Sequence, residues 1–136
     1  MISIIIPVLN EAETIEELLF HSVDCADLKN INEIIVVDGG SIDDTKKIIQ
    51  NSDLKIKLLT SEKGRAKQMN RGANAATGNI LYFLHADSFP PKHFDQFILN
   101  EIQKDNHAGC FRLKFDSNHW WLRMAGWFTK FNFKAC

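Results

Sequence analysis

The sequence predicts an α/β protein, a mostly parallel sheet with helices on both faces. Short β-branched apolar runs alternate with helical patterns through the first 84 residues, the rhythm of a sheet wound with crossover helices. Polar and glycine-rich clusters follow those runs directly. Such sheets bind ligands outside the carboxyl ends of their strands.

The elements follow in order. Ile2-Ser3-Ile4-Ile5-Ile6 is a β-branched run suited to a strand buried on both faces, and Pro7 should end it. Asn10 can cap a helix over residues 11–22, with Glu11 and Glu13 at its positive end and Ile15, Leu18, Leu19 and Ser22 along one face. Glu33 to Val37 reads as a second buried strand, broken by Gly39-Gly40. Ser41 can cap a helix over 43–51. Ile56 to Thr60 is a third strand. A helix over 66–76 follows, stopped by Thr77-Gly78, and its Asn70, Gly72 and Ala73 suggest close packing on the sheet. Asn79 to Leu84 is the fourth strand. After Pro90-Pro91 the pattern gives an amphipathic helix over 92–104, then a strand over 109–115. The division expected from this order is a β/α half over 1–88 and a second part over 89–136.

Bulk properties set limits. The chain has 136 residues, 45% of them hydrophobic, and a formal net charge of -1. That is one domain with enough apolar material for a core. No basic field draws it to nucleic acid or anionic lipid, so anionic ligands need local groups. Cys25, Cys110 and Cys136 are odd in number and far apart, unlike a disulfide framework or zinc site; a reducing cytoplasm fits them best. The opening run lacks the basic start of a signal peptide, and no apolar segment is long enough to span a bilayer.

Three clusters at strand ends carry chemistry. Pro7-Val8-Leu9-Asn10-Glu11 turns a strand into a helix and places polar groups at the sheet edge, although a plain cap would also explain Asn10. Asp38-Gly39-Gly40-Ser41 joins a strand-end carboxylate to two glycines that permit a tight turn and close approach to a ligand. Asp38 there can accept from a base or ribose. In His85-Ala86-Asp87-Ser88, a carboxylate directly after an apolar strand suits a cation that bridges to a diphosphate, since Mg²⁺ takes few protein carboxylates plus phosphate oxygens. A turn residue is the plain alternative for Asp87, and a structural hydrogen bond for His85. Gly64-Arg65 opens a helix, where Arg65 can clamp a phosphate; Lys67 and Arg71 read equally well as solvated charges.

Taken together, these segments resemble the family 2 glycosyltransferases of the glycosyltransferase A fold, which is Rossmann-like. SIIIPVLNEAETI resembles that family's opening strand and helix, EIIVVDGGSIDDT its nucleotide-binding segment, and KGRAKQMNRGANAATGNILYFLHADS its helix, strand and Asp-X-Asp metal motif. More narrowly, GRAKQMNRGA, FLHADS and AGCFRLKF resemble the arsenosugar-biosynthesis glycosyltransferases. The resemblance implies a nucleotide-diphosphate sugar donor, of UDP type or related, a Mg²⁺ or Mn²⁺ ion, and transfer to an acceptor hydroxyl with inversion. It implies Pro7, Asn10 and Glu11 around the nucleotide, Asp38 at the base or ribose and Asp87 at the metal, with Gly40 and Ala86 also among the substrate-binding residues. His85 stands where the family has the first Asp of Asp-X-Asp, so it is the weaker metal candidate. Gly39 stands where a second Asp is usual.

Members of this family run well past residue 136, and their general base lies in the later part. The fold is therefore expected to be incomplete at the C-terminus, with the catalytic base beyond Cys136 and the acceptor unidentified. Asp116 is the only late carboxylate and suits a turn better than catalysis. The aromatic tail over 118–128 would suit an acceptor cleft or contact with the inner face of a membrane. Core packing, or a bare surface that pairs two copies, is the blander reading. Two other functions compete. A sugar-nucleotide pyrophosphorylase would need a glycine-rich basic loop after the first strand, where this chain has Pro7 to Glu11. A nucleotide-sugar-binding module without transferase activity differs only in lacking turnover.

Overall fold

The computed structural model describes residues 1–111. Its elements are β1 (Ile2–Val8), α1 (Ile15–Asp24), β2 (Ile31–Asp38), α2 (Thr45–Gln50), β3 (Ile56–Thr60), α3 (Arg65–Ala75), β4 (Ile80–Phe83) and α4 (Phe94–Gln103). The four strands form one parallel sheet in the order β3-β2-β1-β4. From β1 the chain winds outward through β2 to β3, then returns past β1 to β4. That reversal makes the junction of β1 and β4 the topological switch point, and right-handed crossovers then place α3 on the opposite face from α1 and α2.

Every residue of β1 is buried, and Ile34, Ile35, Val36 and Val37 of β2 are buried beside it. Each such aliphatic side chain contributes about 1.5–3 kcal/mol when removed from water. Ile15, Leu18, Leu19 and Ser22 form the buried face of α1, as their spacing requires. On α3 the buried residues are Gln68 and Gly72, one helical turn apart. A Cβ on Gly72 would collide with Ile5 Cγ2 and lie 3.2 Å from Val37 Cγ2, so only glycine lets α3 approach β1 and β2 this closely.

Three local expectations are corrected. Pro7 does not end its strand: β1 runs to Val8, with Pro7 in register with Val37. Ile5 accepts from the Leu84 N–H at 2.9 Å, so by alternation the Pro7 nitrogen faces the same side, beyond the last rung of β4. The ladder therefore loses no donor there. Asn10 caps no helix, because α1 begins at Ile15 and residues 11–14 form a turn closed by Thr14 N–H to Glu11 O at 3.1 Å. Glu16 and Glu17 occupy its first turn in place of Glu11 and Glu13. Ser41 caps no helix either, since α2 begins at Thr45.

The chain divides into two units, 1–100 and 101–136. Phe94 is fully buried with its ring 5.2 Å from Tyr82, which joins the start of α4 to the first unit. Within residues 101–111, the Asn106 and Lys104 side chains both bond Glu101. Cys25 and Cys110 are free thiols. The strand expected over 109–115 falls mostly, and Asp116 and the aromatic tail wholly, outside the described residues. No described helix is long and apolar enough to cross a membrane.

At the N-terminal end of the sheet, Glu33 Oε1 accepts from Ser3 Oγ at 2.9 Å, Thr77 N at 2.6 Å, Thr77 Oγ1 at 2.8 Å and Asn32 Nδ2 at 3.2 Å. Burial raises the carboxyl pKa, but these hydrogen bonds outweigh it and hold the group at about 2, below its ordinary 4.5. A depressed folded pKa stabilises above the unfolded value and loses that contribution as pH falls through the folded one. Glu33→Gln should therefore lower stability by roughly 1–2 kcal/mol at pH 7, and the deficit should shrink between pH 4.5 and 2. Urea midpoints of both proteins across that range check it.

Candidate functional site

The loops after β1 and β2 are laced together side chain to backbone. Asn10 adopts φ 55°, in the left-handed region that asparagine tolerates. Its Oδ1 accepts from Ile42 N–H at 2.9 Å, and its own N–H donates to Ser41 Oγ at 2.9 Å. Glu11 N–H donates to Thr45 Oγ1 at 2.9 Å and Ala12 N–H to Asp43 Oδ2 at 3.1 Å. The Thr45 hydroxyl first, and the Thr45 and Ala12 N–H groups with it, hold the Asp43 carboxyl below its ordinary pKa. The polar residues that look like caps in sequence thus bind the two loops to each other.

Replacing Asn10 separates the backbone and side-chain parts of this latch. Asn10→Ala removes the acceptor and strains the left-handed φ; Asn10→Gly removes only the acceptor. The alanine variant should lose about 1–2 kcal/mol and the glycine variant roughly half of that. Urea midpoints at unchanged slope measure both.

Asp38 is fully buried. Its Oδ2 accepts from Gly40 N–H at 3.0 Å and Ser41 N–H at 3.1 Å, its Oδ1 also meets Ser41 N–H at 3.2 Å, and Lys46 Nζ lies 3.7 Å away. The carboxylate expected at a base or ribose is therefore turned into its own loop, where it shapes the turn. Gly40, at φ 97°, is exposed at the tip. Gly39 donates to Val8 O at 3.0 Å, and Ser61 N–H to Asp38 O at 2.9 Å, which ties the ends of β1, β2 and β3 into one rim.

The remaining candidates lie on that rim. Arg65 is the first residue of α3, exposed, behind Gly64 at φ 137°. Residues 85–88 follow β4, which pairs with β1. Asp87 is exposed and accepts from Ser88 Oγ at 3.2 Å; His85 is half-buried and Ala86 buried. Pro7 is buried within β1, and Glu11, half-buried, accepts from Thr14 Oγ1 at 3.2 Å. Asn10 and residues 85–88 thus lie on either side of the switch point between β1 and β4. Lys67 is exposed and pairs with Glu62.

Two consequences follow for ligands. The N–H groups of Asn10, Glu11, Ala12, Gly40, Ser41 and Ile42 are already taken by loop side chains, so these loops present no open anion nest. The exposed Arg65 and the N-terminal end of α3 are the groups of this helix placed to meet negative charge. No three His, Cys, Asp or Glu side chains among the described residues could hold a metal between them. One exposed carboxylate with a half-buried imidazole two residues before it fits a hard cation that takes its other ligands from a bound diphosphate.

Gln68 escaped the reading of the sequence, although a polar residue one turn before a buried glycine was a signal. It is buried, and its Nε2 donates to Val8 O at 2.7 Å and Val37 O at 2.8 Å.

Comparison with known proteins bears on the same residues. The family model described as glycosyl transferase family 2 matches residues 3–135. A dolichol-phosphate mannosyltransferase of Pyrococcus furiosus is 38% identical over 103 residues, covering 71% of this chain and 29% of the relative. The structure of S. aureus TarS 1–349 in complex with UDP-GlcNAc superposes at a TM-score of 0.65 with 26% identity, over 76% of this chain and 31% of that one. A glucosyl-3-phosphoglycerate synthase from Mycobacterium tuberculosis, in complex with Mn²⁺, UDP and glucosyl-3-phosphoglycerate, superposes at 0.63 with 26% identity, over 75% of this chain and 39% of that one. The chain thus spans between about three tenths and two fifths of the length of these proteins.

Proposed function

The chain belongs to glycosyl transferase family 2, and from that premise we propose that it holds the nucleotide-diphosphate sugar donor of a metal-assisted, inverting sugar transfer to an acceptor hydroxyl. The observation that carries this reading is the placement of Asn10, Gly40, Arg65 and Asp87 on one rim, with the loops of Asn10 and Asp87 flanking the switch point. The solved relatives with UDP, UDP-GlcNAc and Mn²⁺ support a UDP-type donor and a divalent ion, Mg²⁺ or Mn²⁺.

The residues divide the work by chemistry. Asp38 keeps the 39–41 turn in shape, so that Gly40 offers backbone without a side chain where a base or ribose would lie. Pro7, Asn10 and Glu11 border the nucleotide, and Ala86 leaves room beside the diphosphate. Arg65 places a fixed positive fork toward the phosphates. Asp87, with His85 as the weaker partner, would hold the cation, which supplies charge neutralisation on the departing diphosphate. A base that takes the acceptor proton is assigned to no described residue.

The narrower likeness to arsenosugar-biosynthesis enzymes leaves donor and acceptor open. We place the protein in the cytoplasm. The dolichol-phosphate in the Pyrococcus relative's name supports an acceptor at a membrane, and the inner face is part of this proposal.

Calorimetry with UDP, with and without Mn²⁺, beside a donor-hydrolysis and transfer assay, tests the reading. Metal-dependent UDP binding supports it. Binding that is indifferent to metal would remove the role given to Asp87, and pyrophosphate exchange in place of transfer would assign another class of enzyme. Binding without any turnover is the result expected of a nucleotide-sugar-binding module.

A further inference from the structure

Gln68 is the one buried polar side chain of α3. Its Nε2 spends both hydrogens on the carbonyls of Val8, the last residue of β1, and Val37, the last but one of β2, at 2.7 and 2.8 Å. These carbonyls lie at the strand ends that lead into the two loops bordering the proposed donor. The side chain also fills the space beside Gly39: a Cβ there would lie 2.8 Å from Gln68 Cδ, 2.9 Å from Oε1 and 3.0 Å from Nε2. Gln68 and Gly39 are therefore one unit, in which the missing side chain at 39 makes room for the amide. Gln68 sits one turn after Arg65 and one turn before Gly72, whose contact fixes the helix on Ile5 and Val37.

We propose that Gln68 is a positioning residue, which locks the ends of β1 and β2 to α3 so that the Asn10 and Gly40 loops and Arg65 form one preorganised donor surface. Without the amide both carbonyls lose their side-chain donor, Val8 O keeping the Gly39 N–H, and the loops above them lose a common anchor. No other side chain among the described residues donates to either carbonyl in its place. The Gly39 position follows from the same claim: any side chain there must displace the amide.

The proposal rests on the donor-binding reading and is tested with the full chain. Gln68→Met keeps the volume and removes the donor; Gly39→Ala keeps the donor and removes its space. UDP affinity with Mg²⁺ and thermal stability are measured for wild type, Gln68→Met, Gln68→Ala, Gly39→Ala, and Gly39→Ala combined with Gln68→Ala. The loss of two hydrogen bonds to the sheet corresponds to about a tenfold effect or more. Gln68→Met should therefore bind UDP about tenfold more weakly while remaining folded. The combined variant should be more stable than the two single alanine losses predict by addition, because the clash is gone, yet it should bind UDP as weakly as Gln68→Ala alone.

A Gln68→Met protein that loses stability but binds UDP within about twofold of wild type overturns the proposal, since the role is then structural only. Additive stability losses in the combined variant overturn the link to Gly39. If Gln68→Met fails to fold, Gln68→Asn, which keeps a shortened amide, serves with the same thresholds. A wild-type chain that does not bind UDP overturns the donor reading and this proposal with it, whereas tight wild-type binding that survives these variants overturns this one alone.

Discussion

Asp87→Ala is expected to abolish the metal dependence of UDP binding and to weaken binding in the presence of Mn²⁺ by roughly a hundredfold. Loss of a group that only supports a metal ligand typically costs 10–100-fold in metal affinity, and the direct carboxylate belongs at the top of that range or beyond. The structure gives the reason for so large an effect. The N–H groups of Asn10, Glu11, Ala12, Gly40 and Ile42 are committed to Ser41, Thr45, Asp43, Asp38 and Asn10 side chains, so a diphosphate bound there would find few partners among them. Among the described residues no cluster of three ligands can compensate. His85→Ala should weaken binding less, because an imidazole is the softer and more replaceable partner for a hard cation. Equal losses in the two variants would mean that His85 and Asp87 share the ion evenly. Isothermal titration at fixed Mn²⁺ separates the cases, and the folded state of Asp87→Ala should be unchanged because the side chain is exposed and bonds only Ser88.

Gly72→Ala is expected to be the most damaging small substitution for stability. Two effects oppose each other. Alanine in a helix interior gains about 1 kcal/mol over glycine in propensity. Against that, the new methyl would overlap Ile5 Cγ2 and press Val37 Cγ2, and both Ile5 and Val37 are fully buried with no room to retreat. Overpacking of this kind costs about 1–3 kcal/mol and occasionally more. Overlap with a side chain rooted in the central strand belongs at the upper end, so the net loss should be about 2 kcal/mol and the melting midpoint should fall by roughly 6–10 °C. Asn74→Ala, on the exposed side of the same helix, should show the propensity gain alone. A Gly72→Ala protein as stable as wild type would mean that α3 sits farther from the sheet than the structure shows.

The parallel sheet was legible because β1 and β2 are buried on both faces, and nearly continuous β-branched runs are what that environment selects. The close approach of α3 was legible at Gly72, where a small residue interrupts a helical pattern. The rim was legible because polar residues follow apolar runs at the same end of each strand. The partners of those polar residues were not legible. Asn10 and Ser41 have the local chemistry of helix caps, and only their meeting across 31 residues turns them into a latch; tertiary partners here override local preference. Pro7 was read as a stop because its harmlessness depends on β4 ending two rungs earlier, a fact of strand length rather than of proline. For Asp38, the strand-end carboxylate expected at a base or ribose, what local sequence does not announce is its bonding to the N–H groups of Gly40 and Ser41 and its nearness to Lys46. Gly39, read as a departure from a family pattern, has its physical reason in Gln68.

Backbone amide shifts on titrating the labelled full chain with UDP and Mg²⁺ test the shared rim most directly. The account predicts that Asn10, Gly40 and Asp87 respond together and saturate at one UDP concentration, while Glu33 and Thr77, at the other end of the sheet, stay still. Shifts centred on Glu33 and Thr77, or separate saturation of Gly40 and Asp87, would contradict it.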